Sequence, residues 1–184
     1  PPRWIMTGAR PRRPVIGVMG SGVERHDTLA GAVGTWIARQ GFHLLTGGGE
    51  GVMAAVGEAF AAVGDRRGLV IGVLPNAEDD QRCRAPAGYP NRWVELAIRT
   101  HLPLSGACGT APLSRNHINV LTADVVIALP GGPGTSSEVR LAVRYGRPCV
   151  AFVTDRSQIP GLPDEVPCVS TLAEMAAFVL EQLS

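Results

Sequence analysis

The 184-residue sequence contains no lysine, so all 17 of its basic residues are arginine. Arginine cannot replace the lysine amine in two common kinds of site. A pyridoxal phosphate enzyme needs that amine to form its Schiff base, and a Walker-type P-loop needs it at the phosphates. The sequence therefore excludes both of these classes.

Long hydrophobic runs, aromatic residues and a strong net charge are also lacking. The apolar runs are of strand length and are interrupted by glycine or arginine, well short of the ~18 apolar residues of a membrane span. Aromatic residues make up 5% of the chain and the formal net charge is +1, so a basic groove with stacking aromatics is not indicated. We expect a soluble protein without a membrane or nucleic-acid partner.

The cysteines form no CxxC pair, and they stand far apart at Cys83, Cys108, Cys149 and Cys168. This spacing indicates neither a zinc knuckle nor a disulfide framework, and it is typical of reduced thiols in the cytoplasm. His, Cys and carboxylate residues nowhere cluster with the spacing of metal ligands. We therefore expect a cytoplasmic protein with no metal site and no bound cofactor.

The length of the chain predicts one domain. A chain of this size that is 45% hydrophobic buries one substantial core and is too short for two ordinary domains. Residues 1–13 are basic and rich in proline, and they lack the apolar segment of a secretory signal. We expect a flexible N-terminal arm over 1–13 and a single domain over 14–184.

Short apolar runs alternate with amphipathic helical patterns along that domain. The predicted strands span residues 15–19, 42–45, 69–74, 93–98, 124–129 and 148–153. Near-continuous apolar strands separated by helices are typical of a parallel sheet covered on both faces. The sequence therefore predicts an α/β fold, a Rossmann-like, doubly wound, mainly parallel sheet with helices on both faces.

Glycine-rich turns follow three of the predicted strands, at residues 20–22, 47–51 and 131–134. In such a sheet these turns share the carboxyl edge, where ligands bind. Glycine lets backbone N–H groups approach an anion, and the following helix adds the positive end of its dipole. Tight turns also use glycine for steric reasons alone, and Arg25 stands where GxGxxG has its third glycine. We place a phosphate at residues 131–135.

Two charged residues admit both a structural and a functional interpretation. Thr135 and Glu138 fit a capping box, and the residues alone favour that structural role. Arg115 lies in the first turn of a predicted helix, against the positive end of its dipole, which invites an anion. Asn119 lies one turn further on the same face, whereas His117 is not favoured as a catalyst.

Two motifs resemble the paired signatures of a known family. The segments GGGEGVM at 47–53 and PGGPGTSSE at 130–138 are similar to those of the LOG ("lonely guy") family. These proteins are cytokinin riboside 5′-monophosphate phosphoribohydrolases that were once mislabelled lysine decarboxylases. The resemblance extends over residues 15–153. Lysine decarboxylation is excluded on chemistry, because a chain without lysine forms no internal aldimine.

The resemblance implies a homodimer or higher homo-oligomer and a catalytic pair that falls by motif on Glu138 and Arg115. The family reaction cleaves the N-glycosidic bond of a nucleoside 5′-monophosphate, such as AMP or an N6-modified AMP, to free base and ribose 5-phosphate. A carboxylate beside the ribose would stabilise the oxocarbenium-like transition state. The residues expected to bind the phosphate or nucleotide are Gly20, Ser21, Gly22, Gly48, Gly49, Gly51, Met53, Asn119, Pro130, Gly131, Gly132, Gly134 and Thr135.

Hydrolysis of a nucleoside 5′-monophosphate is the function expected first, and two departures from the LOG pattern leave a carrier role as the alternative. Arg115 is followed by Asn116 where the LOG family usually has lysine, and the first motif is one residue shorter before its Gly-Val-Met. Both features resemble the molybdenum-cofactor carrier proteins, which bind a phosphorylated pterin cofactor on the same fold without hydrolysing it as their purpose. A single-stranded DNA module resembling the DprA core ranks last. Residues 76–91 are predicted to form a loop or a lid.

Overall fold

The computed structural model describes residues 12–77 and 82–184. Its strands are β1 (Val15–Met19), β2 (His43–Thr46), β3 (Val70–Leu74), β4 (Leu96–Arg99), β5 (Val125–Ala128), β6 (Cys149–Phe152) and β7 (Cys168–Val169). Its α-helices are α1 (Asp27–Gln40), α2 (Val52–Ala61), α3 (Asn116–Thr122), α4 (Pro133–Arg144) and α5 (Leu172–Gln182). Short 3₁₀ turns lie at Gly106–Cys108 and Arg156–Gln158.

In these residues the strands form one seven-stranded sheet in the order β4-β3-β2-β1-β5-β6-β7, and all neighbouring strands are parallel. The chain winds outward from β1 to one edge, then crosses back to β5 and winds to the other edge. This order confirms the predicted doubly wound α/β fold. The switch in direction lies between β1 and β5, where such sheets bind ligands.

Two hydrophobic layers cover the sheet, one on each face, as predicted. In β5, Val125 and Ile127 pack into the layer that contains residues of α1, α2 and α5. Val126 and Ala128 point to the opposite face and pack with residues of α3 and α4. All four side chains are fully buried. Successive side chains of a strand alternate between faces, so a strand buried on both faces must be apolar throughout.

The fourth strand begins three residues later than predicted, at Leu96. Asn91 turns the chain before it, because its side-chain oxygen accepts a hydrogen bond from the Trp93 N–H at 3.0 Å. The N–H of Val94 donates to the Asn91 carbonyl at 3.3 Å, which completes the turn. Trp93 therefore lies outside the sheet ladder, although it belongs to an aromatic and β-branched stretch typical of strands.

The seventh strand was not predicted from the sequence. It has two residues, Cys168 and Val169, and it pairs with the end of β6 through the Val153 N–H and the Val169 carbonyl at 3.0 Å. A two-residue strand carries too short an apolar run to give a periodic signal.

The predicted flexible arm lies largely outside the described residues, which exclude 1–11. Arg12 donates a hydrogen bond to the Asp124 carboxylate at 2.6 Å, and the other oxygen of that carboxylate accepts from the Val15 N–H at 2.8 Å. The start of the described chain is thus tied to the start of β5. The division at residue 13 stays a prediction. Across 12–77 and 82–184, every helix is too short or too polar to cross a bilayer.

Candidate functional site

A cleft of about 330 Å³ opens at the carboxyl edge of the sheet, beside the switch between β1 and β5. Its walls come from the turns after β1 and β2, from the start of α4, and from residues 105–106 and 115–116 before or at the start of α3. Residues distant in the sequence thus converge on one space. Its volume is at the lower end of the range of small-molecule sites.

Nine of the predicted site residues line this cleft, namely Gly20, Ser21, Gly22, Met53, Arg115, Gly132, Gly134, Thr135 and Glu138. Both predicted catalytic residues and most of the predicted phosphate turn are therefore brought together. Pro130 and Gly131 line a neighbouring groove that shares Ser21 and Gly132 with the cleft.

The remaining predicted residues do not line the cleft but lie in the turns and the helix next to it. Gly48 and Gly49 lie in the turn after β2, and Asn119 is fully buried on α3. Gly51 has a φ of +64°, and a Cβ added there would lie 2.3 Å from the Ser21 carbonyl oxygen. Only glycine allows the turn after β2 to approach the turn after β1 this closely.

The α4 helix begins at Pro133, before the threonine that a capping box would require at the N-cap. Gly132 is its N-cap and Pro133 occupies its first position, where the fixed φ of proline favours helix and its missing N–H costs nothing. Thr135 and Glu138 consequently lie inside the helix and form no capping box. That structural interpretation of Glu138 is wrong, because the glycine and proline begin the helix before the threonine can cap it.

The first turn of α4, which lines the cleft, contains polar groups without hydrogen-bond partners in the protein. The Thr135 side chain is 2% exposed, and its hydroxyl oxygen has no hydrogen-bond partner. The amides of Gly134 and Thr135 belong to the first turn of a helix, whose N–H groups lack intrahelical acceptors. A Cβ added at Gly132 would meet no atom within 4 Å, so the backbone here is open to a ligand. Such a helix start suits a phosphate.

Glu138 lies on the next turn of α4, with 8% of its surface exposed. One carboxylate oxygen accepts a hydrogen bond from the Asn119 side-chain amide at 2.9 Å. Burial raises the pKa of Glu138, while the positive charge of Arg115 and the Asn119 hydrogen bond oppose that rise. Desolvation is the largest of these effects, so the fold favours the protonated carboxyl relative to an exposed glutamate.

Replacing Glu138 with glutamine should therefore raise the melting temperature at pH 8. A carboxyl whose pKa is raised on folding contributes stability at low pH and loses that contribution as the pH rises through its folded pKa. The difference in melting temperature between the variant and the wild type should shrink as the pH falls towards 4, because protonation makes the wild-type carboxyl as neutral as the glutamine amide. Thermal unfolding followed by circular dichroism over this range tests the expectation. A variant less stable than the wild type at pH 8 would contradict it.

Arg115 is buried beneath the turn after β2, with 4% of its surface exposed. Its Nη1 donates a hydrogen bond to the Val73 carbonyl at 2.8 Å, and its Nε has no partner. The guanidinium fills the space where a side chain at Gly47 would lie, since a Cβ there would be 2.1 Å from Nη1. Arg115 precedes α3 rather than lying within it, and it is one of the residues that line the cleft.

Several cleft residues were not predicted from the sequence. Tyr89 comes from the polar segment predicted as a loop or lid, and Gly47 comes from the second glycine turn. The second glycine turn carried a signal that could have included Gly47, whereas no motif in the sequence marks Tyr89. Ser105 and Gly106 also line the cleft, but they follow an irregular stretch in which no pattern predicts their position.

His117 lies beside the cleft but is engaged in other contacts. Its Nδ1 lies 2.7 Å from the Tyr145 hydroxyl, and its Nε2 lies 2.9 Å from the Ala111 carbonyl oxygen. The carbonyl can only accept, so Nε2 donates to it, and the tyrosine hydroxyl pairs with Nδ1. Both ring nitrogens are occupied, which gives His117 a structural position in the segment that carries Asn116 into the cleft.

Comparisons with known proteins agree with this fold. A solved molybdenum cofactor binding protein from the phototrophic bacterium Rippkaea orientalis is 31% identical, with a TM-score of 0.74, and the match covers 95% of this chain and 100% of that one. The molybdenum cofactor carrier protein of Chlamydomonas reinhardtii is 31% identical with a TM-score of 0.69, over 94% of this chain and 99% of that chain. An uncharacterized protein of Archaeoglobus fulgidus is 34% identical over 134 residues, which are 72% of this chain and 75% of its relative.

Residues 13–177 match the SLOG cluster4 family. This match and the solved neighbours confirm the resemblance to LOG-like proteins and its features of the cofactor carriers. The chain belongs to the SLOG cluster4 family of the LOG-like superfamily.

Proposed function

We propose that this protein binds a phosphorylated small molecule that carries a pterin, of the molybdenum-cofactor class, and acts as its carrier. Two solved relatives named for binding or carrying that cofactor are each 31% identical over nearly the whole chain. The departures from the LOG pattern at Asn116 and in the first motif point in the same direction. In this role the cofactor is cargo, which the protein binds and releases without changing it chemically.

The observation that carries the proposal is the unpartnered Thr135 hydroxyl at the start of α4. A buried polar group without a partner costs free energy, so a ligand that supplies a hydrogen-bond partner to this hydroxyl would stabilise the cleft wall. The adjoining amides and the helix dipole favour an anion at that point. A phosphate of the ligand satisfies all of these groups together.

Arg115 supplies the positive charge that the phosphate end of such a ligand needs. Its Nε has no partner and its charge is buried beside the cleft, where water screens it little. A cleft of about 330 Å³ suits a phosphorylated heterocycle rather than a polymer. The donor set of this chain therefore fits the phosphate end of the proposed cargo.

A second candidate function is hydrolysis of a nucleoside 5′-monophosphate. It is favoured by one observation, that Glu138 and Arg115 both line the cleft. Stabilising an oxocarbenium-like transition state needs an ionised carboxylate. Burial raises the pKa of Glu138 and so opposes that form, which is why we place hydrolysis second.

Incubation with two ligands distinguishes the candidates. Purified protein is mixed with AMP and with a phosphorylated pterin, and free adenine and ligand coeluting on gel filtration are quantified beside a Glu138→Gln control. The carrier proposal expects the pterin to coelute intact and no adenine to form. Adenine release that the substitution abolishes would replace the proposal with the hydrolase, and the absence of any coelution would reject the carrier.

A further inference from the structure

An aromatic side chain forms the wall of the cleft beside the turn after β2. The Cζ and Oη atoms of Tyr89 lie over Gly49, such that a Cβ added to that glycine would be 2.8 Å from each. The Met53 Cε lies 2.9 Å from the same point. The Tyr89 ring and the Met53 thioether thus both pack against the backbone of Gly49, and both residues line the cleft.

Asn91 holds the segment that carries this ring. Its N–H donates to the Gly48 carbonyl at 2.7 Å, and its side-chain amide donates to the Gly49 carbonyl at 2.6 Å. Asn91 is 4% exposed, so these hydrogen bonds are shielded from water. Because Tyr89 lies only two residues before this anchor, its position is tied to the turn after β2.

The cleft consequently has two chemically different parts. Thr135, the start of α4 and Arg115 offer hydrogen-bond donors and positive charge. Tyr89 and Met53 offer a polarizable, largely apolar surface without charge. Aromatic rings and thioethers favour the flat faces of other ring systems, and a base stacked on an aromatic side chain gains considerable affinity.

We propose that Tyr89 and Met53 bind the planar heteroaromatic ring of the ligand and thereby restrict the site to phosphates that carry such a ring. This inference rests on the proposed function, because it assumes that the phosphate lies at α4. It adds the determinant of ligand class, because a sugar phosphate without an aromatic ring fills the polar part alone and binds weakly. The pterin or purine is selected by Met53, which ends the first family motif, and by Tyr89, which lies outside both motifs.

Calorimetric titration of two ligands tests the assignment. A phosphorylated pterin and ribose 5-phosphate are titrated into the wild type, Tyr89→Ala, Tyr89→Phe and Arg92→Ala. We expect Tyr89→Ala to weaken binding of the phosphorylated pterin by about tenfold or more. The same substitution should leave the affinity for ribose 5-phosphate unchanged. Tyr89→Phe keeps the ring and should restore most of the affinity. Arg92 is an exposed neighbour that does not line the cleft, so Arg92→Ala should match the wild type.

Three results would overturn the assignment. Unchanged affinity of Tyr89→Ala for the pterin phosphate would show that the ring makes no contact with the ligand. An equal loss for both ligands would show that Tyr89 only maintains the cleft. If the wild type bound neither ligand, the proposed function itself would fail, and this inference would fail with it.

Discussion

Replacing Gly51 with alanine will lower the free energy of unfolding by about 3 kcal/mol or more, the largest stability effect that we expect in this chain. Its φ of +64° is unfavourable for any residue with a side chain, and the new Cβ would lie 2.3 Å from the Ser21 carbonyl oxygen. Two backbone turns would have to separate, and the cleft between them would open. Chemical denaturation measures the loss.

Gly31→Ala is the matched control for that substitution. Gly31 lies within α1, and a Cβ there would meet no atom within 4 Å. Alanine in a helix is favoured over glycine by roughly 0.5–1 kcal/mol, so this variant should be slightly more stable than the wild type. If both variants had similar stability, the close approach of the two turns at Gly51 would be wrong.

Replacing Arg115 with methionine will weaken binding of the phosphorylated ligand by about 100-fold. The substitution removes the buried positive charge beside the cleft and leaves the Val73 carbonyl without its 2.8 Å hydrogen bond. It also removes the charge that opposes the raised pKa of Glu138, so that pKa should rise further. Titration calorimetry with a phosphorylated pterin gives the loss.

Arg147→Met separates the effect of the site from the loss of any arginine. Arg147 also donates to a backbone carbonyl at 2.8 Å, that of Leu121, but it lies outside the cleft. Both variants lose one positive charge and one hydrogen bond of the same kind. Equal affinities of the two variants for the ligand would show that Arg115 does not take part in binding it.

The sheet could be predicted because its strands are apolar on both faces. Val125 to Ala128 and Val70 to Leu74 are almost entirely apolar, and such strands separated by helical patterns are typical of a covered parallel sheet. The short β7 could not be predicted, because two residues give no pattern. The late start of β4 depends on the Asn91 side chain, whose turn overrides the strand propensity of Trp93.

The site could be predicted only where it belongs to continuous motifs. The segment at 130–138 contains Gly132, Gly134, Thr135 and Glu138, and all four line the cleft. The capping-box interpretation failed because this segment contains two possible N-caps, Gly132 and Thr135. The helix begins after Gly132, where Pro133 occupies its first position. Tyr89 has no motif of its own. Its place in the cleft depends on hydrogen bonds between distant segments, which the sequence does not display.

The most direct test of the account compares one pterin with and without its phosphate. Both forms are titrated into the wild type and into Thr135→Val, which keeps the shape of the side chain and removes the unpartnered hydroxyl. We expect the wild type to prefer the phosphorylated form by at least about tenfold. We expect Thr135→Val to reduce that preference with no loss of thermal stability. Equal binding of both forms by the wild type would contradict a phosphate site at the start of α4.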